Sequence, residues 1–310
     1  MPSQQLTKKQ SDKLKNLAAT ASITVATILC LLKIFGAWLT DSLAVLSSMI
    51  DSLSDIFGSL ITLIAIRYAA KPASHRHRYG YGKAEALSAL TQSAFIAGSG
   101  LFVLYDGINR FFTPRSLLDT NSGLIIMIVS LIATIILIIF QRHVAKRTNS
   151  QAILADSAHY LVDILTNGAI IISLFSVKFF NALWVDPLTA TLISLYLLYN
   201  AYLLACDAIG LLLDRELSEE IRNNICTIIN SHSFVCGVHD LRTHDLGGCF
   251  MFEFHLELNG HLTLCQAHEY SDIVSAKLRE TYPNAQIIIH QDPSGINEDR
   301  LDNKLQSNKE

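Results

Sequence analysis

The stretch LAVLSSMIDSLSDIFGSLITLIAIRY, residues 43–68, decides the fold. It is longer than the about 20 helical residues that cross the hydrocarbon core of a bilayer. Two carboxylates, Asp51 and Asp55, interrupt the apolar run four residues apart, and this spacing places them on one face of a helix. Ionisable groups inside a membrane are costly and usually serve a function. The stretch therefore predicts a membrane helix that carries a functional site.

Apolar runs of this length occur six times in the first two thirds of the chain. Half of the 310 residues are hydrophobic and only 16% are charged, a composition too apolar for an ordinary soluble domain. We therefore predict an α-helical membrane protein whose residues 1–212 form a domain of six transmembrane helices. The runs are 17–39, 43–68, 86–109, 121–141, 152–177 and 184–212.

The distribution of basic residues predicts the orientation of these helices. An even number of spans places both termini on one side, and lysine and arginine concentrate on the cytoplasmic side of membrane proteins. The N-terminal tail, 1–16, is polar for too long to begin a cleaved signal peptide, so we interpret it as a retained cytoplasmic tail. Both termini are thus predicted to be cytoplasmic. The bases on that side are Lys8, Lys9, Lys13, Lys15, Lys71, Arg76, Arg78, Lys83, Arg142, Lys146 and Arg147, against Arg110, Arg115 and Lys178 opposite.

Beyond residue 212 the pattern changes to short alternating apolar stretches mixed with charges. This predicts a small cytoplasmic α+β domain over 213–310, with the order α-β-β-α-β of a ferredoxin-like or metallochaperone-like fold. The charged tail from about Asn297 is predicted to be disordered. The expected elements are a helix at Ser218–Ser231, strands at Val238–Asp245 and Cys249–Leu258, a helix at Leu264–Thr281 and a strand at Ala285–His290.

Other classes of protein are disfavoured by what the sequence lacks. The six cysteines form no Cys-x-x-Cys pair, which argues against a disulfide framework or a thiolate zinc knot. The net charge of -3 gives no indication of the basic surface that binds nucleic acid. An intramembrane metalloprotease would need a motif such as His-Glu-x-x-His, which does not occur. We therefore expect a protein that is not an enzyme.

The fifth apolar run repeats the spacing of the second. His159 and Asp163 stand four residues apart, as Asp51 and Asp55 do. Each ionisable group at the bilayer centre costs about 2.5–3.5 kcal/mol, and a bound dication would compensate all four together. One nitrogen and three oxygens suit tetrahedral Zn²⁺. We predict that these four residues bind the transported metal; the alternative is that they are hydrogen-bonded polar residues that hold helices together.

Three neighbouring polar residues leave two interpretations open. Ser48, Ser52 and Asn167 lie beside the predicted ligands in the same apolar runs. They could hydrate the pathway or orient the ligands. Small polar residues that pack membrane helices would look the same.

Seven histidines lie between residues 232 and 290, a density typical of metal binding. The predicted strands and the second helix could gather five side chains into a binuclear site bridged by a carboxylate. Surface histidines without a ligand role are the alternative, and it is favoured for His232, His244 and His261. The five candidate ligands are His239, His255, His268, His290 and Asp292.

The ligand types suggest a mechanism and limit which metals the site can prefer. Metal requires ionised carboxylates and neutral imidazole, so protons and metal compete for the same atoms. Histidine changes charge near neutral pH, so His159 is the natural proton-sensitive group. An imidazole favours Zn²⁺ or Cd²⁺ over Mn²⁺ but leaves Fe²⁺, Co²⁺ and Ni²⁺ open. A passive metal channel or a membrane-bound metal sensor remains the alternative from another class, although conduction needs sites weaker than a fitted four-ligand site.

Several motifs resemble the cation diffusion facilitator family over nearly the whole chain. They are the Asp-x-x-x-Asp at 51–55, the Ala-Asp-x-x-His-x-x-x-Asp at 155–163, Tyr-Gly-Lys-Ala-Glu at 81–85, Leu-Leu-Asp-Arg at 212–215 and Ile-His-Gln-Asp-Pro at 289–293. The resemblance implies a homodimer in a bacterial inner membrane that exchanges cytoplasmic Zn²⁺ for periplasmic protons by alternating access. It also implies that Asp51, Asp55, His159 and Asp163 form the transport site.

The same resemblance implies further roles. His239, His255, His268, His290 and Asp292 resemble the ligands of a paired zinc site in the cytoplasmic domain, which would regulate transport or only stabilise the dimer. Lys83 and Asp214 resemble a charge interlock at the dimer interface.

One loop departs from the pattern of the family. Family members can hold a further zinc site of one Asp and two His between helices 2 and 3, and the corresponding residues here are Ser74, His77 and Tyr81. A weaker or rebuilt site at His75 and His77 stays open.

Overall fold

The computed structural model describes the backbone of residues 8–40, 43–112, 121–180, 185–296 and 300–307. Within the helices, side chains are described for a narrower set that leaves out residues 43–54 and 169–180, among others. The chain divides into two compact units, residues 1–209 and 210–310. Each unit is described by itself.

Six long helices make up the described part of the first unit and lead into the second. The predicted fold class of six membrane helices is confirmed, and several helices extend beyond their apolar runs. Helix α1 begins at Lys8 and α4 ends at Thr148, because lysine, glutamine and arginine continue a helix readily once it has formed. The helices are α1 (Lys8–Thr40), α2 (Leu43–Ala69), α3 (Ala84–Phe112), α4 (Asn121–Thr148), α5 (Gln151–Phe180) and α6 (Val185–Leu212).

Four of these helices contain, within the described residues, a stretch long and apolar enough to cross a membrane. The stretches are Lys9–Leu32, Ala84–Asn109, Val129–Thr148 and Ala190–Leu212. The side chains described in α2 and α5 cover shorter segments, and those segments carry the acids and the histidine of the predicted site.

The packing of the first unit brings the two site-bearing helices together. Helix α2 contacts α1, α3 and α5, and α5 also contacts α3 and α4. Helix α6 lies against α3, where a Cβ placed on Gly100 would stand 3.2 Å from Leu198 Cγ. Small residues permit such close approach between membrane helices.

A buried ion pair ties together the ends of three helices. Lys15 Nζ lies 2.7 Å from Glu85 Oε1, and both side chains are buried. Ser150, the residue before α5, donates its hydroxyl to the same carboxylate. Lys15 was expected in a polar tail, but it is buried within α1, where the Glu85 carboxylate supplies the partner that a buried ammonium requires.

The second unit is a three-stranded sheet with helices, and the predicted order α-β-β-α-β is confirmed. Strands β1 and β2 pair antiparallel, and β2 and β3 pair parallel. Phe252, Phe254 and Leu256 of β2 are fully buried in a core shared with α7 and α8. Helix α8 begins where Thr263 and Gln266 form a capping box. The elements are α7 (Glu219–Asn230), β1 (Gly237–Asp245), β2 (Phe250–Leu258), α8 (Leu264–Thr281) and β3 (Gln286–Pro293).

The predicted disorder of the tail is wrong for residues 300–307. They contain a ninth helix among the described residues, α9 (Leu301–Ser307). The Asp240 carboxylate accepts hydrogen bonds from the backbone N–H groups of Leu301 and Asp302 at 2.8 and 2.9 Å, which satisfies donors that a helix start leaves open. Residues 297–299 lie outside the description.

Candidate metal centres

An aspartate of α2 and a histidine of α5 face each other inside the first unit. Asp55 Oδ1 lies 3.3 Å from His159 Nε2, and both side chains are largely buried. The His159 nitrogen makes no hydrogen bond within the described residues, because the pair is close but not aligned as a hydrogen bond. Two ligand atoms on a tetrahedral ion with bonds of about 2.1 Å stand about 3.4 Å apart. The pair therefore has the spacing of two ligands of one metal ion.

The other two predicted ligands, Asp163 and Asp51, lie on the same two helices as the pair. Asp163 is half-buried and follows His159 by four residues, which puts both on one face of α5. Asp51 precedes Asp55 by four residues within α2, but its side chain lies outside the part that the structure describes. The same holds for the side chains of Ser48, Ser52 and Asn167.

A buried polar network borders the Asp55–His159 pair. Asp156, three residues before His159, is fully buried, and its Oδ2 accepts hydrogen bonds from Ser22 at 2.6 Å and from Gln141 at 2.5 Å. Ser59 lies 3.4 Å from Asp156 Oδ1 and 2.7 Å from the Tyr160 hydroxyl. These residues come from α1, α2, α4 and α5. The network therefore joins the two helices that carry the predicted ligands to two others.

Sequence reasoning quoted Asp156 only as part of a motif and assigned it no role. Its position three residues before His159 in an apolar run was the available signal, since an acid there needs buried partners. The polar residues at 22, 59 and 141 could not be matched to it without the packing of the helices.

A second cluster of metal-ligand side chains lies in the sheet of the second unit. His239, His255 and Asp292 each offer an atom within 4.8 Å of the others. The Asp292 carboxylate is buried; its Oδ2 lies 2.7 Å from His255 Nδ1 and 3.6 Å from His239 Nε2. His290 Nε2 lies 3.2 Å from the other oxygen, Oδ1. Each oxygen of the Asp292 carboxylate thus has at least one histidine beside it. A carboxylate with imidazoles around it fits a divalent metal such as zinc.

The register of the strands explains this convergence. His255 pairs with His239 on one side and with His290 on the other, so three histidines stand in one row across the sheet. His268 is not among them. Its Nε2 lies 3.5 Å from Asp272 on α8, and its side chain is 73% exposed. Three of the five predicted ligands, His239, His255 and Asp292, thus form one group of ligand atoms, and His290 lies beside it against the second oxygen of Asp292.

The histidines expected to have no ligand role lie elsewhere. His232 Nδ1 contacts the Ile228 carbonyl, and His244 Nε2 lies 3.6 Å from Asp214. His261 is exposed. They do not belong to the group of ligand atoms found among the described residues.

Sequence reasoning also missed Glu257, which borders the second cluster. Its Oε1 lies 3.1 Å from His239 Nδ1 and also accepts a hydrogen bond from Arg300. Glu257 stands two residues after His255 on β2 and faces a histidine on the neighbouring strand. Its role depends on strand register, which the sequence pattern did not give.

The loop between α2 and α3 is held by a small turn rather than by clustered ligands. The Ser74 hydroxyl lies 2.9 Å from the Tyr81 hydroxyl, and the rings of His77 and Tyr81 are 4.5 Å apart. Within the described residues, neither His75 nor His77 belongs to a group of three metal-ligand side chains. The pairing of Lys83 with Asp214 joins residues of different units and stays a prediction.

Asp240, the residue after His239, is a charged neighbour of the second cluster. Burial opposes its charge, but the N–H groups of Asp302 and Leu301 and the nearby His239 and His255 hold the pKa of Asp240 below its usual range. The carboxylate is therefore ionised at neutral pH and adds negative charge beside the cluster.

Comparisons with known proteins agree with this division of the chain. The family model described as "Cation efflux transmembrane domain" matches residues 19–213, and that described as "Cation efflux protein, cytoplasmic domain" matches 217–294. A cation-efflux pump FieF of Shigella boydii serotype 18 is 42% identical over 284 residues, which cover 92% of this chain and 94% of that protein. The FieF protein of Escherichia coli strain K12 / DH10B has the same identity and coverage.

Proposed function

Because the chain belongs to the cation diffusion facilitator family and is a metal cation-efflux transporter of the membrane, we propose that it exports Zn²⁺ in exchange for protons. It is a secondary transporter that works by alternating access as a homodimer in the inner membrane, with both termini in the cytoplasm. The metal is bound by Asp51, Asp55, His159 and Asp163.

The observation that carries this proposal is the Asp55–His159 pair. A carboxylate and an imidazole from two helices meet at 3.3 Å inside an apolar helical unit, and within the described residues the two are close without an aligned hydrogen bond. Ionisable groups in apolar surroundings are costly, so such an arrangement needs a ligand that offsets their charge for part of its working cycle. A divalent cation supplies it, since both atoms are metal ligands when deprotonated.

Proton exchange follows from the same atoms. When the site faces the proton-rich side, protonation of His159 and the carboxylates removes the lone pairs that hold the metal. When it faces the cytoplasm, loss of these protons restores the ligands. The carboxylates supply the charge that offsets the dication, and His159 supplies preference for zinc-like metals over Mn²⁺.

The second cluster supports a resident metal in the cytoplasmic domain. Its donors are three imidazoles and a carboxylate that bears a histidine on each oxygen, an arrangement that suits one ion or two ions bridged by Asp292. We assign it a stabilising or regulatory role, since a transported ion has no membrane to cross there. Dimerisation through this domain is part of the same proposal.

Uphill zinc movement tests the proposal against a passive channel. Proteoliposomes with an acidic lumen are placed in a more alkaline medium, with equal free Zn²⁺ on both sides and the membrane potential held at zero by potassium and valinomycin. We expect Zn²⁺ to accumulate in the lumen as protons leave.

The control uses the same vesicles with the pH gradient collapsed by a protonophore, and accumulation should then stop. A channel would leave the free zinc concentrations equal on the two sides of the membrane under either condition. Zinc that stays at its starting distribution despite the pH gradient, in protein that binds the metal, would rule out proton-coupled export.

A further inference from the structure

The C-terminal segment 300–307 reaches the metal-ligand cluster of the second unit. It lies beyond residues 217–294, which match the family's cytoplasmic domain. Arg300 donates a hydrogen bond from its guanidinium to Glu257 Oε1, and the same oxygen lies 3.1 Å from His239 Nδ1. The three side chains form a chain from the tail to a predicted ligand.

The two ring nitrogens of His239 have different neighbours. Nδ1 faces Glu257, while Nε2 lies 3.6 Å from Asp292, the shared carboxylate of the cluster. A carboxylate beside one ring nitrogen keeps the proton there, which leaves the other nitrogen as the metal ligand. Glu257 is therefore placed to direct Nε2 of His239 toward the cluster.

Reciprocal hydrogen bonds anchor the tail next to this histidine. Asp240 accepts from the backbone of Leu301 and Asp302, and its own N–H donates to the Asp302 carboxylate at 2.9 Å. Asp240 has a φ of 50° and lies where the β1–β2 register shifts, directly after His239. Such bulges change the direction of neighbouring side chains, so the tail fixes the backbone that presents His239.

The tail also borders an open space beside the ligand. A cavity of about 360 Å³ has residues of α7 and β1 in its wall, among them Cys226 and His239, together with Asp302 of the tail. Removal of the tail would take Asp302 out of this wall and expose His239 to more solvent. Water would weaken the pairing between His239 and Glu257.

We propose that the C-terminal segment 300–307 sets the metal affinity of the cytoplasmic cluster, with Arg300 and Glu257 as positioning residues for His239. The inference rests on the cytoplasmic metal site of the proposed function. The segment contributes no metal ligand of its own. It affects metal binding through the orientation of His239.

Zinc titration of the full-length protein in detergent against a chromophoric chelator tests this proposal. Loss of the partner of a metal ligand typically lowers affinity about 10–100-fold. We expect Glu257→Gln to weaken the cytoplasmic component within that range, and Arg300→Ala to weaken it by about tenfold. A chain ending at Ile296 should lose at least as much. Asn303→Ala, an exposed change on α9, is the matched control and should bind as the wild type does.

Two further variants separate positioning from general loss of structure. Arg300→Lys retains the positive charge and should recover part of the affinity. In a Glu257→Gln background, Arg300→Ala should have a much smaller additional effect, because the amide that replaces the carboxylate carries no charge for the guanidinium to pair with. Affinity within twofold of the wild type for Arg300→Ala, or an undiminished effect in the Glu257→Gln background, would overturn the proposal.

Asp292→Ala identifies which titration component belongs to the cluster. If no component depends on Asp292, the cytoplasmic metal site itself is wrong. If one depends on Asp292 but not on Arg300 or on the tail, only the role of the tail is wrong.

Discussion

Replacement of Asp55 by asparagine is expected to lower the rate of zinc transport by more than about a hundredfold. Even loss of a group that only supports a metal ligand costs about 10–100-fold in affinity, and Asp55 is placed as a ligand itself. The amide keeps the shape of the side chain but removes the negative charge that offsets the dication. Transport would be measured as zinc uptake into vesicles at a saturating pH gradient.

A matched carboxylate in another membrane helix provides the control. Asp207 lies on α6 with an exposed side chain, outside the predicted site. Asp207→Asn should retain transport within about a factor of three, because substitutions at exposed positions usually change free energies by no more than about 0.5 kcal/mol. Transport by Asp55→Asn at a rate close to that of Asp207→Asn would show that the metal does not use the Asp55–His159 pair.

The second large effect is expected at Asp156, where alanine should destabilise the membrane unit by about 3 kcal/mol or more. The substitution leaves the Gln141 amide buried without its acceptor, which costs about 1–3 kcal/mol. It also removes the carboxylate from Ser22, whose hydroxyl can then pair only with other hydroxyls, and a hydrogen bond to a charged group contributes about 1.5–3 kcal/mol. Because the network joins α2 and α5, the Asp55–His159 spacing should also change. The melting temperature of the purified protein and its zinc affinity should therefore fall together.

Asparagine at the same position separates the network from simple packing. An asparagine oxygen in the place of Oδ2 would still accept from both Ser22 and Gln141. The amide nitrogen would then take the place of Oδ1, where the Ser59 hydroxyl can accept from it. Asp156→Asn should thus cost only about 1 kcal/mol. Equal losses for alanine and asparagine would show that the hydrogen bonds do not hold the helices.

The fold followed from the sequence where local signals were strong. The apolar runs are each long enough to cross a bilayer as a helix. Helix α8 was bounded correctly because Thr263 and Pro283 mark its two ends. The tail helix was missed because its start is capped by Asp240, more than sixty residues earlier in the chain. A cap supplied from such a distance leaves no local signature.

The residues of the candidate sites were also predictable only where local sequence signals were strong. Spacing of four residues on a helix identified the Asp55 and His159 faces, and strand register then brought His239, His255 and His290 into one row. Histidine density alone did not show that His268 points to Asp272 instead. The supporting residues Asp156, Glu257 and Arg300 depend on contacts between distant segments, so only the folded structure reveals them.

Proton movement evoked by zinc tests the central claim most directly. Vesicles without an initial pH gradient carry a pH-sensitive dye in the lumen, and Zn²⁺ is added outside with the potential held at zero. The wild type should acidify the medium and alkalinise the lumen as zinc enters and protons leave, whereas His159→Ala should show no zinc-dependent signal. An unchanged proton signal in His159→Ala would contradict the assignment of metal and proton to the same atoms.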